Sequence, residues 1–296
     1  MRMLKETFIL YLKLLRVRQW TKNGFIFVPL FFSQHLLDTH FLLLSISAFF
    51  SFCFISSSMY IINDILDKER DKFHPVKKLR PIPSGKISIV SALILSFILF
   101  ILSIFVASPL PQTFFLVILG YLFLQVFYTL SLKNYVILDG ISISLGFILR
   151  ILGGGVAIDV PLSSWLFLCT FFLALFLAFC KRRSEMELEN YAEQRTVLEK
   201  YSKPFLDHLI SISAGVTVLC YSLYIISPET TKKFHSPYLI ITLPFVVYGI
   251  YRYLYLVHIK NVGEDPSSIL FKDKPFLINI LLWLSVFFII LYEGRL

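Results

Sequence analysis

Apolar stretches of membrane-spanning length recur along the whole chain, and they limit its fold more than any other feature. Residues 41–62, 87–132 and 275–292 contain no Asp, Glu, Lys or Arg, and 135–180, 205–228 and 236–260 contain only isolated ones. A helix crossing a bilayer needs about 20 mostly apolar residues, so each run holds one or two spans. With 57% hydrophobic residues and a mean hydropathy of +0.75, the chain carries more apolar surface than a water-soluble core can hide. The alternation of a β-barrel is absent. The runs predict spans near 8–35, 40–62, 87–107, 111–131, 136–157, 162–181, 205–227, 236–258 and 275–292. That is an all-α polytopic membrane protein of about nine helices, read as one transmembrane domain over residues 1–296.

The net charge of +9 raises nucleic acid as a partner, and the distribution of the charge argues against it. Put the N-terminus in the cytoplasm, and Arg2, Lys5, Lys13, Arg16, Arg18, Lys22, the loops near 63–86, 182–204 and 259–274, and Lys133 all fall on that side. Only Lys232, Lys233 and Arg295 fall on the other. This is the asymmetry that orients membrane proteins, and it needs no nucleic acid. Charges at Lys13, Arg16, Arg18 and Lys22 interrupt the first apolar stretch, so a cleavable leader is not expected. Cys53, Cys169, Cys180 and Cys220 have no ligand spacing and read as small packing residues. The outer connections are short and carry Pro109, Pro111, Pro161, Pro228 and Pro237, whereas the inner ones are long and hold most of the acids. Function is expected on the cytoplasmic face.

The densest polar stretch follows the second span. Asp64, Asp67 and Asp71 lie at i, i+3 and i+7, on one stripe of a helix, with Asn63 beside Asp67. Crowded carboxylates repel unless a cation stands among them, and such oxygen ligands suit Mg²⁺ bound together with substrate phosphates. The competing reading is a solvated acidic loop paired with Lys68, Arg70 and Lys72. Lys77, Lys78, Arg80 and Lys86 follow around Pro81 and Pro83, presenting cations beside the proposed metal. Any loop on the positive side is basic, so Arg80, next to Pro81, is the strongest single candidate among them.

A second inner cluster holds Lys181, Arg182, Arg183, Glu185, Glu187 and Glu189, with Glu185 and Glu189 one turn apart. Taken alone it reads as a membrane-anchoring collar. Arg150 lies deep in the fifth span, where a charge is costly without a wet cavity or a partner, and it is a functional candidate for that reason. Gly153, Gly154 and Gly155 after it suit close helix packing. Trp20, among Arg16, Arg18 and Lys22, reads as part of an interfacial belt.

Asn63-Asp64-x-x-Asp67-x-x-x-Asp71 resembles the first aspartate motif of the UbiA superfamily of intramembrane prenyltransferases. Five further blocks are similar to the branch of that family that acts as decaprenyl-phosphate phosphoribosyltransferases. They are Arg18-Gln-Trp20-x-Lys22-Asn23, His74-Pro75-x-Lys77-x-x-Arg80-Pro81-Ile-x-x-Gly85, Tyr128-x-x-Ser131-Leu-Lys133, Gly146-Phe-x-Leu-Arg150 and Lys181-Arg182-x-x-Glu185. Two positions depart from the wider pattern: Asn134 stands where His is expected, and Glu185 and Glu189 replace the usual second aspartate pair.

The resemblance implies a helical bundle around a central cavity open to the cytoplasm, in the inner (plasma) membrane. The implied reaction moves 5-phosphoribosyl from 5-phosphoribose 1-diphosphate to a polyprenyl phosphate, feeding an arabinofuranosyl donor for cell-wall polysaccharide. Mg²⁺ is the implied cofactor, with Mn²⁺ as the other candidate, and a homo-oligomer such as a trimer is compatible. By the same resemblance Asn63, Asp64, Asp67 and Asp71 serve the metal and diphosphate, while Lys77, Arg80, Lys181 and Arg182 serve phosphate groups. Glu185 serves ribose hydroxyls or a second ion, and Lys22, Tyr128, Lys133 and Arg150 complete the substrate contacts. The nearest alternative is an aromatic prenyltransferase using a polyprenyl diphosphate. A lipid-phosphate transporter ranks below it, because the charge sits at one face.

Overall fold

In the computed structural model the chain forms helices joined by turns, with no strand, among the described residues, which are 2–72, 77–187, 196–234, 236–260, 269 and 272–292. Eight helices among them are long and apolar enough to cross a membrane. Their ends fall within a few residues of the predicted spans, because charge and proline mark both.

The chain divides into two compact units: Met1–Ser142 with Gly146–Pro161 and Ala192–Val197, and Ile143–Leu145 with Leu162–Tyr191 and Leu198–Leu296. The first unit is built from α1 (Arg2–Leu15), α2 (Val28–Phe32), α3 (Thr39–Leu66), α4 (Lys68–Asp71), α5 (Ile89–Val106), α6 (Gln112–Leu130) and most of α7 (Leu138–Ala157). The second holds α8 (Ser164–Glu185), α9 (Lys203–Ile226), α10 (Pro228–Phe234), α11 (Leu243–His258) and α12 (Lys274–Tyr292). Local sequence sets the starts. Asp38, Ser88, Ser163 and Ser202 each accept a backbone N–H from the first turn of α3, α5, α8 and α9, respectively.

The expected first span, 8–35, is three pieces rather than one helix. α1 stops at Leu15, Arg16 takes a left-handed conformation (φ 52°), and a 3₁₀ run, Val17–Phe27, leads into α2. Six polar side chains from Arg16 to Asn23, with Gly24 after them, leave no uninterrupted apolar stretch of spanning length. The break frees the Leu15 carbonyl, and Ser57 of α3 donates to it at 2.7 Å. Trp20 Nε1 in turn donates to the Ser57 hydroxyl at 3.0 Å. An interior break in a membrane helix persists where such side chains satisfy the freed backbone.

Two serine pairs join α3 to α5. The Ser51 and Ser103 hydroxyls lie 3.0 Å apart, and those of Ser58 and Ser96 lie 2.9 Å apart. Each pair is two turns from the other on both helices, so the antiparallel helices meet on a stripe of small residues that satisfy each other. Lipid gives no hydrophobic reason for two helices to associate, so close approach and polar satisfaction must do it. Beside this seam Ile26, Phe52, Ile55, Phe114, Ile118 and Tyr121 form a buried cluster.

The glycines of α7 bring the broken segment in. A Cβ on Gly154 would lie 2.1 Å from the Ile26 carbonyl oxygen, and one on Gly153 would lie 2.7 Å from the Phe52 ring. Backbone cannot retreat as a side-chain tip can. Gly154→Ala is therefore expected to lower stability by about 3 kcal/mol, at the upper end of overpacking costs. Gly120→Ala, whose Cβ meets Leu149 at an ordinary 3.7 Å, should be nearly neutral, and thermal unfolding of both variants in one detergent checks the contrast.

Candidate functional site

α3 is 28 residues long, more than a span requires, and its last turns carry Asn63 and Asp64. The helical hydrogen bonding runs on through the short break at Asp67. Asp67 N–H donates to the Asn63 carbonyl at 2.9 Å, and Asp71 N–H donates to that of Asp67 at 2.8 Å. The one-stripe arrangement expected from the spacing is therefore kept.

Each of the three carboxylates meets a cation from a different part of the first unit. Asp64 accepts from Arg16 and, at 2.9 Å, from Arg80. Asp71 accepts from the same Arg80 nitrogen at 2.6 Å. Asp67 receives Lys133 Nζ on both oxygens, at 2.9 and 3.0 Å. Asp64 is 2% exposed and Asp71 4%, so neither could stay ionised there without such partners.

Arg80 is aimed by the turn behind it. Ser84 N–H bonds to the Arg80 carbonyl at 3.0 Å, Gly85 N–H to that of Ile82 at 3.0 Å, and Ile87 N–H to that of Pro81 at 3.1 Å. Gly85 closes the turn at φ +73°, where a side chain would strain the backbone. Ile82 anchors it among Leu14, Ile61 and Ala92. Burial and the neighbouring Arg16 draw the Arg80 guanidinium below its ordinary pKa, while Asp64 and Asp71 oppose the shift. A guanidinium in this position remains charged.

The sequence placed Asp64, Asp67, Asp71, Arg80 and Lys133 in the site, and the structure brings them together. It adds Arg16, which the sequence suggested only as part of a belt. The signal was present in its place three residues past Lys13 and two before Arg18, at the point where the helix stops. Its guanidinium also stacks over Tyr60, 4.9 Å from the ring centroid.

Arg150 is drawn elsewhere. Its Nε donates to Asn23 at 2.7 Å, one Nη to the Gly146 carbonyl at 2.7 Å and the other to Tyr121 at 3.1 Å. Asn23 donates on to Cys53 and Ser56. Arg150 thus holds the 3₁₀ run against α3, α6 and α7. Lys22 and Tyr128 are half-buried.

Lys181, Arg182 and Glu185 lie in the second unit. Arg182, 1% exposed, donates to Glu185 at 2.8 Å, and Lys181 lies 3.8 Å from the same carboxylate. Nearby, Glu187 accepts from Lys203 at 2.9 Å and from Arg183, and Asp207 accepts from Arg183 at 3.0 Å. The side chain of Lys77, the residues His74 and Pro75, and Glu189 lie outside the described part.

Among the described residues no group of three or more His, Cys, Asp or Glu side chains gathers closely enough to hold an ion unaided. The donor set still fits a small hard cation. One Arg80 nitrogen stands within hydrogen-bond reach of both Asp64 and Asp71, so their oxygens already converge on one positive point. Mg²⁺ keeps several non-protein ligands and takes few carboxylates, which agrees with an open set of this kind.

These features define a multi-pass membrane protein with paired aspartates and cations at the end of one spanning helix. The chain belongs to the UbiA prenyltransferase family, whose match covers residues 25–281. It is 33% identical over 247 residues to a decaprenyl-phosphate phosphoribosyltransferase of Mycolicibacterium smegmatis, covering 80% of this chain and 77% of that protein. To the protein of the same name from Mycobacterium tuberculosis it is 31% identical over 279 residues, covering 92% and 91%. Its fold is similar to that of a UbiA homolog from Archaeoglobus fulgidus bound to GPP and Mg²⁺, with a TM-score of 0.72 at 21% identity, covering 95% and 99%.

Two outcomes follow from the ion pairs. Arg80→Ala leaves Asp64 and Asp71 short of a partner and should lower stability by about 1–3 kcal/mol, discounted for the exposed part of the guanidinium. Adding Asp71→Asn should recover part of that loss, as a double-mutant cycle of thermal unfolding reads. Glu187 is held below its ordinary value of about 4.5 by Lys203 and then Arg183. A depressed carboxylate contributes stability above its unfolded pKa and loses it as pH falls through the folded one. The stability gap between wild type and Glu187→Gln should therefore be full at neutral pH and close on acidification below about 4.5.

Proposed function

We propose that this protein is a membrane phosphoribosyltransferase that transfers the 5-phosphoribosyl group from 5-phosphoribose 1-diphosphate to a polyprenyl phosphate. The observation that carries the reading is the set of Arg16, Arg80 and Lys133 on Asp64, Asp71 and Asp67. Both reactants are anionic, and this end of the first unit supplies cationic heads together with carboxylates suited to a metal. The names of the mycobacterial relatives support the substrate pair.

On this reading the bond from ribose C1 to the diphosphate oxygen breaks with its electron pair leaving on the diphosphate. A lipid phosphate oxygen forms the new bond to C1 from the opposite face, so configuration inverts. The nucleophile is already an anion, and no general base is required. Asp64, Asp67 and Asp71, with Asn63, hold Mg²⁺, which when bound supplies Lewis-acid neutralisation of the leaving group. Arg80 and Lys133 turn from carboxylate to phosphate oxygens as the diphosphate arrives, and Lys22 and Lys77 are assigned to further phosphate oxygens. Lys181 and Arg182 hold a further phosphate, Glu185 orients ribose hydroxyls, and Tyr128 borders the substrate. Arg150 acts through Asn23, keeping the 3₁₀ run that carries Lys22 in place.

The N-terminus and the site of the first unit face the cytoplasmic side of the inner membrane. The excess of Lys and Arg in the inner loops supports that orientation. The product is suited to supplying an arabinofuranosyl donor for cell-wall polymers.

The test incubates purified protein with Mg²⁺, radiolabelled 5-phosphoribose 1-diphosphate and polyprenyl phosphate, and follows label into the organic phase. Wild type should transfer label, and Asp67→Asn should lose activity by about 100-fold or more, the scale of removing one group that offsets transition-state charge. Attachment of a prenyl diphosphate to an aromatic acid, with no lipid label, would replace this reading with aromatic prenyl transfer.

A further inference from the structure

Asp64 is the most deeply buried of the three carboxylates, and it is the one that two guanidinium groups share. Arg16 and Arg80 meet on the same Asp64 oxygen although they repel each other. Side chains free to choose would not adopt that arrangement, and the fold imposes it on Arg16. The residue sits left-handed at the end of α1. The carbonyl before it is bound by Ser57, and the run after it is held by Trp20 on Ser57 and by Asn23 on Arg150. The backbone that carries Arg16 is thereby pinned on both sides, and its guanidinium rests between Tyr60 and Asp64.

The formal charges of the six side chains cancel: Asp64, Asp67 and Asp71 against Arg16, Arg80 and Lys133. A bare divalent cation entering this set would add two positive charges where the six named charges, partly buried, already cancel, at the cost that attends any uncompensated buried charge. The same ion arriving on a diphosphate comes with its charge cancelled, and the anion gives the displaced guanidinium groups a new partner.

We propose that Arg16 guards Asp64. It occupies the carboxylate while the site is empty, excludes a bare divalent ion, and yields only when an anionic diphosphate accompanies the metal. This rests on the reading of the aspartates as a metal site and adds an order of binding to it. The coupling is reciprocal, so the metal must tighten diphosphate by the factor by which diphosphate tightens the metal.

The experiment is equilibrium dialysis of full-length protein in nanodiscs, with radioactive Mn²⁺ as probe, at matched free Mn²⁺ with and without inorganic diphosphate. Wild type should bind Mn²⁺ alone weakly and about ten-fold or more tightly with diphosphate, within the usual range of coupling between sites. Arg16→Gln should bind bare Mn²⁺ about ten-fold tighter than wild type, with the coupling largely gone. Arg16→Lys, which keeps the charge, should behave as wild type. Wild type that binds bare Mn²⁺ as tightly as with diphosphate overturns the proposal without any variant. So does Arg16→Gln with unchanged affinity and coupling, provided that Asp64→Asn abolishes binding. Binding that survives Asp64→Asn in full, or no binding in any condition, overturns the metal reading itself and the guard with it.

Discussion

The shared hold of Arg16 and Arg80 on the Asp64 carboxylate governs how the first unit is built around its polar end. A carboxylate buried at the end of a spanning helix is tolerable only if positive charge is brought to it. One cation arrives because α1 stops and turns at Leu15. The other arrives because a proline turn closed by Gly85 returns the chain toward α3. Each segment also has further attachments that keep it there.

Those attachments are of several physical kinds. The break after α1 is secured by a hydrogen-bond chain through Ser57 and Trp20 and by the buried Arg150 with Asn23. Backbone contact completes it, since Gly154 lies against Ile26 with no room for a methyl group. The Arg80 turn is secured by apolar burial of Ile82 and by its own backbone bonds. α3 and α5 are joined by paired serines, since lipid supplies no hydrophobic drive between helices. Together these attachments fix the backbone on which the polar constellation is mounted.

The UbiA membership and the site support each other without being the same statement. Fold likeness at 21% identity speaks to helix arrangement alone. The charge balance of Asp64, Asp67 and Asp71 against Arg16, Arg80 and Lys133 is a property of these residues.

Helical spans were legible from the sequence because hydrocarbon length and loop charge are local properties, and eight of the nine expected spans stand within a few residues of their predicted ends. The aspartate stripe was legible for the same reason, since spacings of three and seven on a helix decide a face whatever surrounds it. Arg80 was legible through Pro81. What the sequence could not decide was where the first apolar stretch would break, and hence that Arg16 leaves the membrane interface for Asp64. Nor could it decide that Arg150 turns to Asn23 and Tyr121. Both choices follow from which distant helix lies alongside: Ser57 and Tyr60 stand more than forty residues from Arg16, and Asn23 more than one hundred from Arg150. The partner of a buried charge is set by packing between segments far apart in the chain, and only the tertiary structure brings them together.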